Sequence, residues 1–361
     1  MSLELDDVQG WVLRGYRVPL VRHLAVRVVD PHGARRWIGQ LAGTDAGNAQ
    51  LQTAAAWSTK PTSMLNIAFT AAGLAALGLD DAVLHEFAPE FRDGMPRRAL
   101  KLGDEGSSSP STWLEPYRDR DTVHAIVTVH GQEVADLEAH SHLDDSVRTL
   151  ITHDGAGLPD DKVVFGYRDN ISQPRFRDLH PDDPHFDEQP YAPLGVALLG
   201  NYDTSFEGLR WRVPGASATT RGFGYNGSFN AFRILRQNAG AFDRYVAEAA
   251  TEVLDHPAAE ALLPKGAEDA FGGSRHDAMR TIVAAKLLGR WPNGNSLDTD
   301  PDTPGTPLPI DKLSRFNYRD DPDGQRCPIA SHVRRANPRG ATIVQRYANH
   351  TRRIIRRGMP F

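Results

Sequence analysis

The chain has 361 residues, of which 24% are charged and 40% hydrophobic, and a net charge of −5. That length suits one large domain or two ordinary ones. The acidic balance gives no basic footprint for nucleic acid, no apolar run is long enough to span a bilayer, and the single cysteine, Cys327, excludes an internal disulfide or a cysteine-based zinc knuckle.

In chain order, the start carries neither a basic segment nor an apolar core of a leader, so a cytoplasmic location is expected. Residues 23–30 alternate and are β-branched, which predicts a strand that Pro31 and Gly33 end. A short helix is expected over 34–41, a second strand over 64–70 and a short Ala/Leu helix over 71–78. Gly, Ser and Pro clusters make 103–120 a loop. Residues 122–130 carry the clearest strand pattern of the chain. A long helix is expected over 132–151, with Val134, Leu137, Val147 and Leu150 on its apolar face, and a strand over 163–165. The order strand–helix–strand, insertion, strand–helix–strand is that of a ferredoxin-like βαββαβ unit with an antiparallel sheet.

Residues 178–193, rich in Pro, Asp and His, read as a linker. Beyond it, strands are expected over 194–199 and 227–235 and helices over 239–254 and 276–288, followed by a Pro/Asp/Gly-dense loop over 291–323. The element order repeats the first half, but no apolar strand follows Leu288. The expected class is therefore α+β, with two ferredoxin-like halves, 1–177 and 194–361, the second short of its last strand and the chain cut short.

Few stretches carry chemistry by residue type. Asp169 sits in a turn after an apolar run, where a carboxylate serves either as an acid/base group or as the cap of its own turn. His332 is followed by Arg334, Arg335 and Arg339; taken alone it reads as a structural histidine, while guanidinium groups around an imidazole also suit a haem, whose propionates need cations. Residues 352–358 repeat the arginine theme, and the interleaved Ile354 and Ile355 suggest a half-buried strand. The run 180–188 has ligand-type residues, but its prolines favour a solvated linker. His140 and His142 are two apart on the expected helix and point away from each other; Asp144 could share a face with His140. The Gly222–Gly227 run matches a bare G-x-G-x-x-G but precedes an expected strand, so it is no nucleotide loop.

Several ordered blocks resemble the dye-decolourising (DyP-type) haem peroxidases: Phe165-Gly-Tyr-Arg-Asp-Asn-Ile-Ser-Gln-Pro174, Asn226-Gly-Ser-Phe229, Phe232-Arg-Ile-Leu-Arg-Gln237, Ala285-Lys-Leu-Leu-Gly-Arg-Trp-Pro292, Arg326-Cys-Pro, His332-Val-Arg-Arg-Ala-Asn-Pro-Arg339 and Arg353-Ile-Ile-Arg-Arg-Gly-Met-Pro-Phe361. The resemblance implies two ferredoxin-like halves of the dimeric α+β barrel type, with haem b in the second. It implies Asp169 as distal acid/base, Arg356 as the charge stabiliser beside it, His332 as proximal iron ligand and Arg334 as a propionate contact. Hydrogen peroxide and a small organic reductant are the implied partners, and self-association is compatible with the fold. Asn170 stands where the motif usually has its second glycine; asparagine tolerates left-handed geometry, and its side chain would lie beside Asp169. Trp291 and Tyr347 are expected in the core or, alternatively, as electron relays. A second reading is a haem-binding or carrier protein with little peroxidase activity.

Overall fold

The computed structural model describes residues 3–44, 49–180, 182, 191–201, 211–271, 273–340 and 353–361. Helix α1 (Gly10–Leu13) leads into strand β1 (Leu20–Val28). Helix α2 (Pro31–Ala42) starts where Asp30 accepts a hydrogen bond from the His32 amide, with Pro31 in the first turn, where its missing N–H costs nothing. Strand β2 (Ser63–Phe69) is followed by four short helices: α3 (Ala71–Ala76), α4 (Asp81–His85), α5 (Pro89–Arg97, interrupted at Gly94) and α6 (Ala99–Leu102). Strand β3 (Ala125–Gly131), helix α7 (Val134–Glu138) and strand β4 (Val147–Ala156) complete the first half. The strands form one antiparallel sheet in the order β2-β3-β1-β4. This is the expected α+β class and ferredoxin-like order.

One face of the sheet is apolar. Leu24, Val26, Leu65, Ile67, Val127 and Val129 pack with Ala34 and Leu41 of α2 and Leu137 of α7. Strand alternation turns the neighbours of these residues to the other face, which is also buried and sets polar side chains among apolar ones such as Ala25, Met64 and Ile126. There the His23 Nδ1 lies 2.9 Å from Thr128 Oγ1, and the Tyr16 hydroxyl donates to Asn66 Oδ1 at 2.7 Å.

Two expectations for this half fail. Residues 132–151 are not one helix: α7 is five residues long and β4 begins at Val147. The Asp144 side chain accepts from the Ser146 amide at 2.9 Å, making a local turn that stops helix propagation and starts the strand. Residues 163–165 are not a strand, because β4 already occupies the fourth position beside β1.

In the second half, β5 (Arg175–Phe176) and β6 (Tyr191–Ala192) pair in parallel. Helix α8 (Ala239–Leu254) falls where expected, and α9 (Ala259–Leu262) and α10 (Ala267–Phe271) lead to α11 (Arg275–Leu288). Ala250 of α8 and Met279, Ile282 and Ala285 of α11 share a core with the buried Trp291, Phe316 and Tyr318. Helix α12 (His332–Ala336) follows the long loop. The strands expected over 194–199 and 227–235 are absent. Residues 194–196 form a 3-10 turn, and 227–235 stay outside any ladder, their backbone bonded among the described residues at Gly227 alone: its carbonyl accepts from the Leu199 amide and its amide donates to Gly224 O. Phe232 nevertheless packs edge-on against His23, so this segment covers the mixed polar and apolar face of the first-half sheet without pairing to it. No helix among the described residues is long and apolar enough to cross a membrane.

The halves meet at a cluster of Val8, Ala54, Phe176, Ala192, Leu194 and Leu198, against which Ile355 packs. Ile355 belongs to an extended strap, residues 353–361. Along it Ile354 is 80% exposed, the Pro360 carbonyl accepts from the Ala156 amide at 2.9 Å, and Phe361 lies against His153.

Candidate functional site

Asp169 is held on a small tight loop. The Gly166 amide donates to Val163 O and the Val163 amide to Tyr167 O, both at 2.8 Å, while Lys162 and Arg168 form an antiparallel bridge. The Asp169 amide closes on Asp161 O at 2.6 Å. The same loop is stitched to the second half: the Arg168 amide donates to Pro292 O at 3.1 Å, and Ser314 Oγ to Ile171 O at 3.4 Å. Asn170 has φ 55°, a left-handed conformation that asparagine accepts more readily than most residues.

Arg356 arrives from the strap. Its Nη2 lies 2.7 Å from Asp169 Oδ1. The arginine side chain is 66% exposed and the aspartate 23%. Arg356 is also gripped through its main chain: Gln173 Nε2 donates to Arg356 O at 2.8 Å, and the Arg356 amide donates to Gln173 Oε1 at 3.1 Å. Next to it, Arg357 Nε donates to Trp11 O at 2.7 Å.

His332 is the first residue of α12. It is exposed, and its ring makes no hydrogen bond among the described residues. Gly289, at the end of α11, backs this segment closely; a Cβ there would stand 2.9 Å from Ser331 Oγ and 3.3 Å from Val333 Cβ. No hydrogen bond or ion pair joins His332 to the Asp169–Arg356 pair.

Arg334 has a different task from the propionate contact expected of it. It is fully buried, with Nη1 2.8 Å from Asp321 Oδ2 and 2.7 Å from Cys327 O, Nη2 2.5 Å from Asp321 O, and its guanidinium over the Tyr318 ring. Burial disfavours the Asp321 charge, but amide donors from Cys327 and Arg326 and the Arg334 cation outweigh it and hold the carboxyl below its usual range. Arg334 thus ties the 321–327 loop to α12.

Arg290 and Arg339 stand out only in three dimensions, since no local pattern marks a buried arginine. Both are buried, and both guanidinium groups lie over the Phe316 ring, at 5.2 and 4.0 Å. Their Nη1 groups donate to carbonyls, Arg290 to Leu313 O at 2.8 Å and Arg339 to Ser314 O at 2.6 Å. The Arg339 Nε is buried without a hydrogen-bond partner. Burial, with the neighbouring Arg290 charge, pushes the Arg339 pKa down to about 9. Burial likewise lowers Arg290 to about 10. Two buried cations with no carboxylate bonded to either among the described residues make a local surplus of positive charge.

Trp291 is fully buried, and its indole donates to Asp300 O at 2.7 Å, so it is a core residue; Tyr347 lies outside the described residues. His140 Nε2 lies 3.1 Å from Ser63 Oγ. Of the 180–188 run only His180 and Asp182 are described, and no group of three metal-ligating side chains is found among the described residues.

The model of the DyP dimeric alpha+beta barrel domain matches residues 39–156. Dye-decolorizing peroxidase msp1 of Mycetinis scorodonius is 26% identical over 374 residues, covering all of this chain and 65% of that protein. Dye-decolorizing peroxidase AauDyP1 of Auricularia auricula-judae is 25% identical, with 100% and 66% covered. Multifunctional dye peroxidase DyP2 of an Amycolatopsis species is 28% identical, with 93% and 67% covered. The chain thus spans about 65% of the length of the first of these. Among solved structures, a dye-decolorizing peroxidase in complex with 2,6-dimethoxyphenol superposes with a TM-score of 0.71 at 24% identity, covering 94% of this chain and 72% of that one. The matched first-half domain, the full-chain likeness to these proteins and the shared fold agree: the chain carries a DyP dimeric alpha+beta barrel domain over residues 39–156 and is similar along its length to dye-decolorizing peroxidases.

Proposed function

We propose that this chain serves a haem-dependent peroxidase, which reduces hydrogen peroxide and oxidises a small organic donor. The observation that carries the reading is the Asp169–Arg356 pair, a carboxylate and a guanidinium 187 residues apart in sequence and 2.7 Å apart in space.

The residues present fit haem b. His332 offers an exposed imidazole not engaged in any hydrogen bond among the described residues, which suits an iron ligand. Arg339, with its orphaned Nε, and Arg290 supply the buried positive charge that two propionates require. When bound, haem supplies the redox chemistry that splits the peroxide O–O bond. The protein's own part is proton handling and charge. The Asp169 carboxylate takes a proton from one peroxide oxygen and returns it to the other, so that water leaves. The Arg356 guanidinium stabilises the negative charge that develops on the departing oxygen. Asn170 holds the turn that aims Asp169.

The test is haem titration followed by rapid mixing with peroxide. His332→Ala should lose the iron-ligand signature in the Soret band, with added imidazole restoring it. Asp169→Asn should bind haem normally while its second-order rate with peroxide falls by about 10²–10⁴. An unchanged rate removes Asp169 from the chemistry. A wild-type protein that takes up haem yet does not turn peroxide over is the carrier of the second reading.

A further inference from the structure

We infer that Gln173 is a positioning residue: its side-chain amide acts as a one-residue strand partner that fixes the Arg356 main chain, so that the Arg356 guanidinium reaches Asp169. The inference rests on the reading of the Asp169–Arg356 pair given above.

In extended backbone, the N–H and C=O of one residue point to the same side. A carboxamide presents one acceptor and two donors in a single plane. Gln173 uses both kinds of group on the same residue, donating to Arg356 O at 2.8 Å and accepting from the Arg356 amide at 3.1 Å. A glutamate could accept but not donate; an asparagine is one methylene too short. Pro174 restricts the Gln173 backbone to extended conformations, which lowers its freedom before the strap docks.

The clamp matters because the ion pair cannot place the strap by itself. Arg356 is 66% exposed and held to Asp169 by a single bond, and exposed ion pairs hold side chains weakly. The Asp169 loop therefore grips Arg356 twice, at the side chain through Asp169 and at the main chain through Gln173 four residues on. On the far side, Arg357 is tied to Trp11 O. A guanidinium on a backbone fixed at both flanks returns to one position; on a free backbone it does not.

Hydrogen exchange of the Arg356 and Arg357 amides, followed on the full chain without added haem, reads the clamp directly. Gln173→Ala should speed exchange at Arg356 by about tenfold or more. Haem affinity and the KM for the organic donor should stay at wild-type values, while kcat/KM for peroxide falls by about ten- to a hundredfold, as a misplaced group costs. Gln173→Glu, which keeps the acceptor, should fall between wild type and Gln173→Ala on both measures. Wild-type exchange at Arg356 in Gln173→Ala overturns the inference, whatever the peroxide rate. Faster exchange with an unchanged peroxide rate overturns it too, because the clamp would then position nothing the reaction needs. Asp169→Asn and Arg356→Ala run alongside: if neither slows the peroxide reaction, it is the reading of the pair that fails, and the exchange result still decides the clamp.

Discussion

At the scale of single residues, the structure separates two arginines that look alike in sequence. Each keeps one buried nitrogen unmet, but Arg334 is locked into the Asp321 carboxylate, whereas the Arg339 guanidinium bonds only carbonyls among the described residues and lies beside the Arg290 charge. Arg334→Met should therefore destabilise the fold by about 3–5 kcal/mol in urea unfolding, by leaving Asp321 buried and uncompensated, with haem affinity little changed. Arg339→Met should do the reverse, weakening haem binding by about tenfold or more in a Soret titration while costing less stability. The buried histidines on the mixed sheet face make a second prediction. Burial lowers His23 to about 4 and His130 to about 3, so both are neutral when folded near pH 7. Below pH 6.5 the unfolded chain takes up protons that the folded chain refuses, so stability is full above 6.5 and drains as pH falls toward 4. His23 alone would remove on the order of 3 kcal/mol by pH 4. Unfolding curves at pH 7, 5.5 and 4.5 should show this loss, and His23→Phe should flatten it. Asp169 and its left-handed neighbour Asn170 were legible in sequence because turn chemistry is local. The partner of Arg334 was not, because Asp321 lies outside any motif the arginine belongs to.

Elements were legible where period and punctuation agreed. Strands β1, β2 and β3 and helices α8 and α11 lie close to where alternation or helical spacing puts them. The failure at 132–151 has a clear cause. Val134, Leu137, Val147 and Leu150 fit a helical face, but the Ser-His-Leu-Asp-Asp run at 141–145 is turn chemistry, and the β-branched residues after it favour a strand. The segment 227–235 failed differently: its alternation is real, yet a strand also needs a backbone neighbour, which no local pattern encodes. Helix α3 depends on one close approach. A Cβ at Gly73 would stand 1.9 Å from the His124 carbonyl, which is backbone and cannot swing aside. Gly73→Ala should therefore cost about 1–3 kcal/mol or more in thermal unfolding and loosen α3 from the start of β3.

At the scale of the whole molecule, the strap joins parts far apart in the chain. Residues 353–361 touch Asn337, Asp169, Gln173, Trp11 and the edge of β4. Arg357→Ala removes the tie to Trp11 O and should raise hydrogen exchange along the strap and α1, leaving α8 and α11 as protected as before. The Asp169–Arg356 pair closes a loop of 187 residues, whose entropy is about 4.6 kcal/mol, against at most about 1 kcal/mol from an exposed ion pair. The pair therefore cannot nucleate folding and must form after the elements between its members have packed. During synthesis the order is stricter still. The ferredoxin-like sheet and the Asp169 loop leave the ribosome and fold while Arg356 has yet to be added to the chain. A nascent chain can thus hold the Asp169 carboxylate in place before the guanidinium that pairs with it has been made.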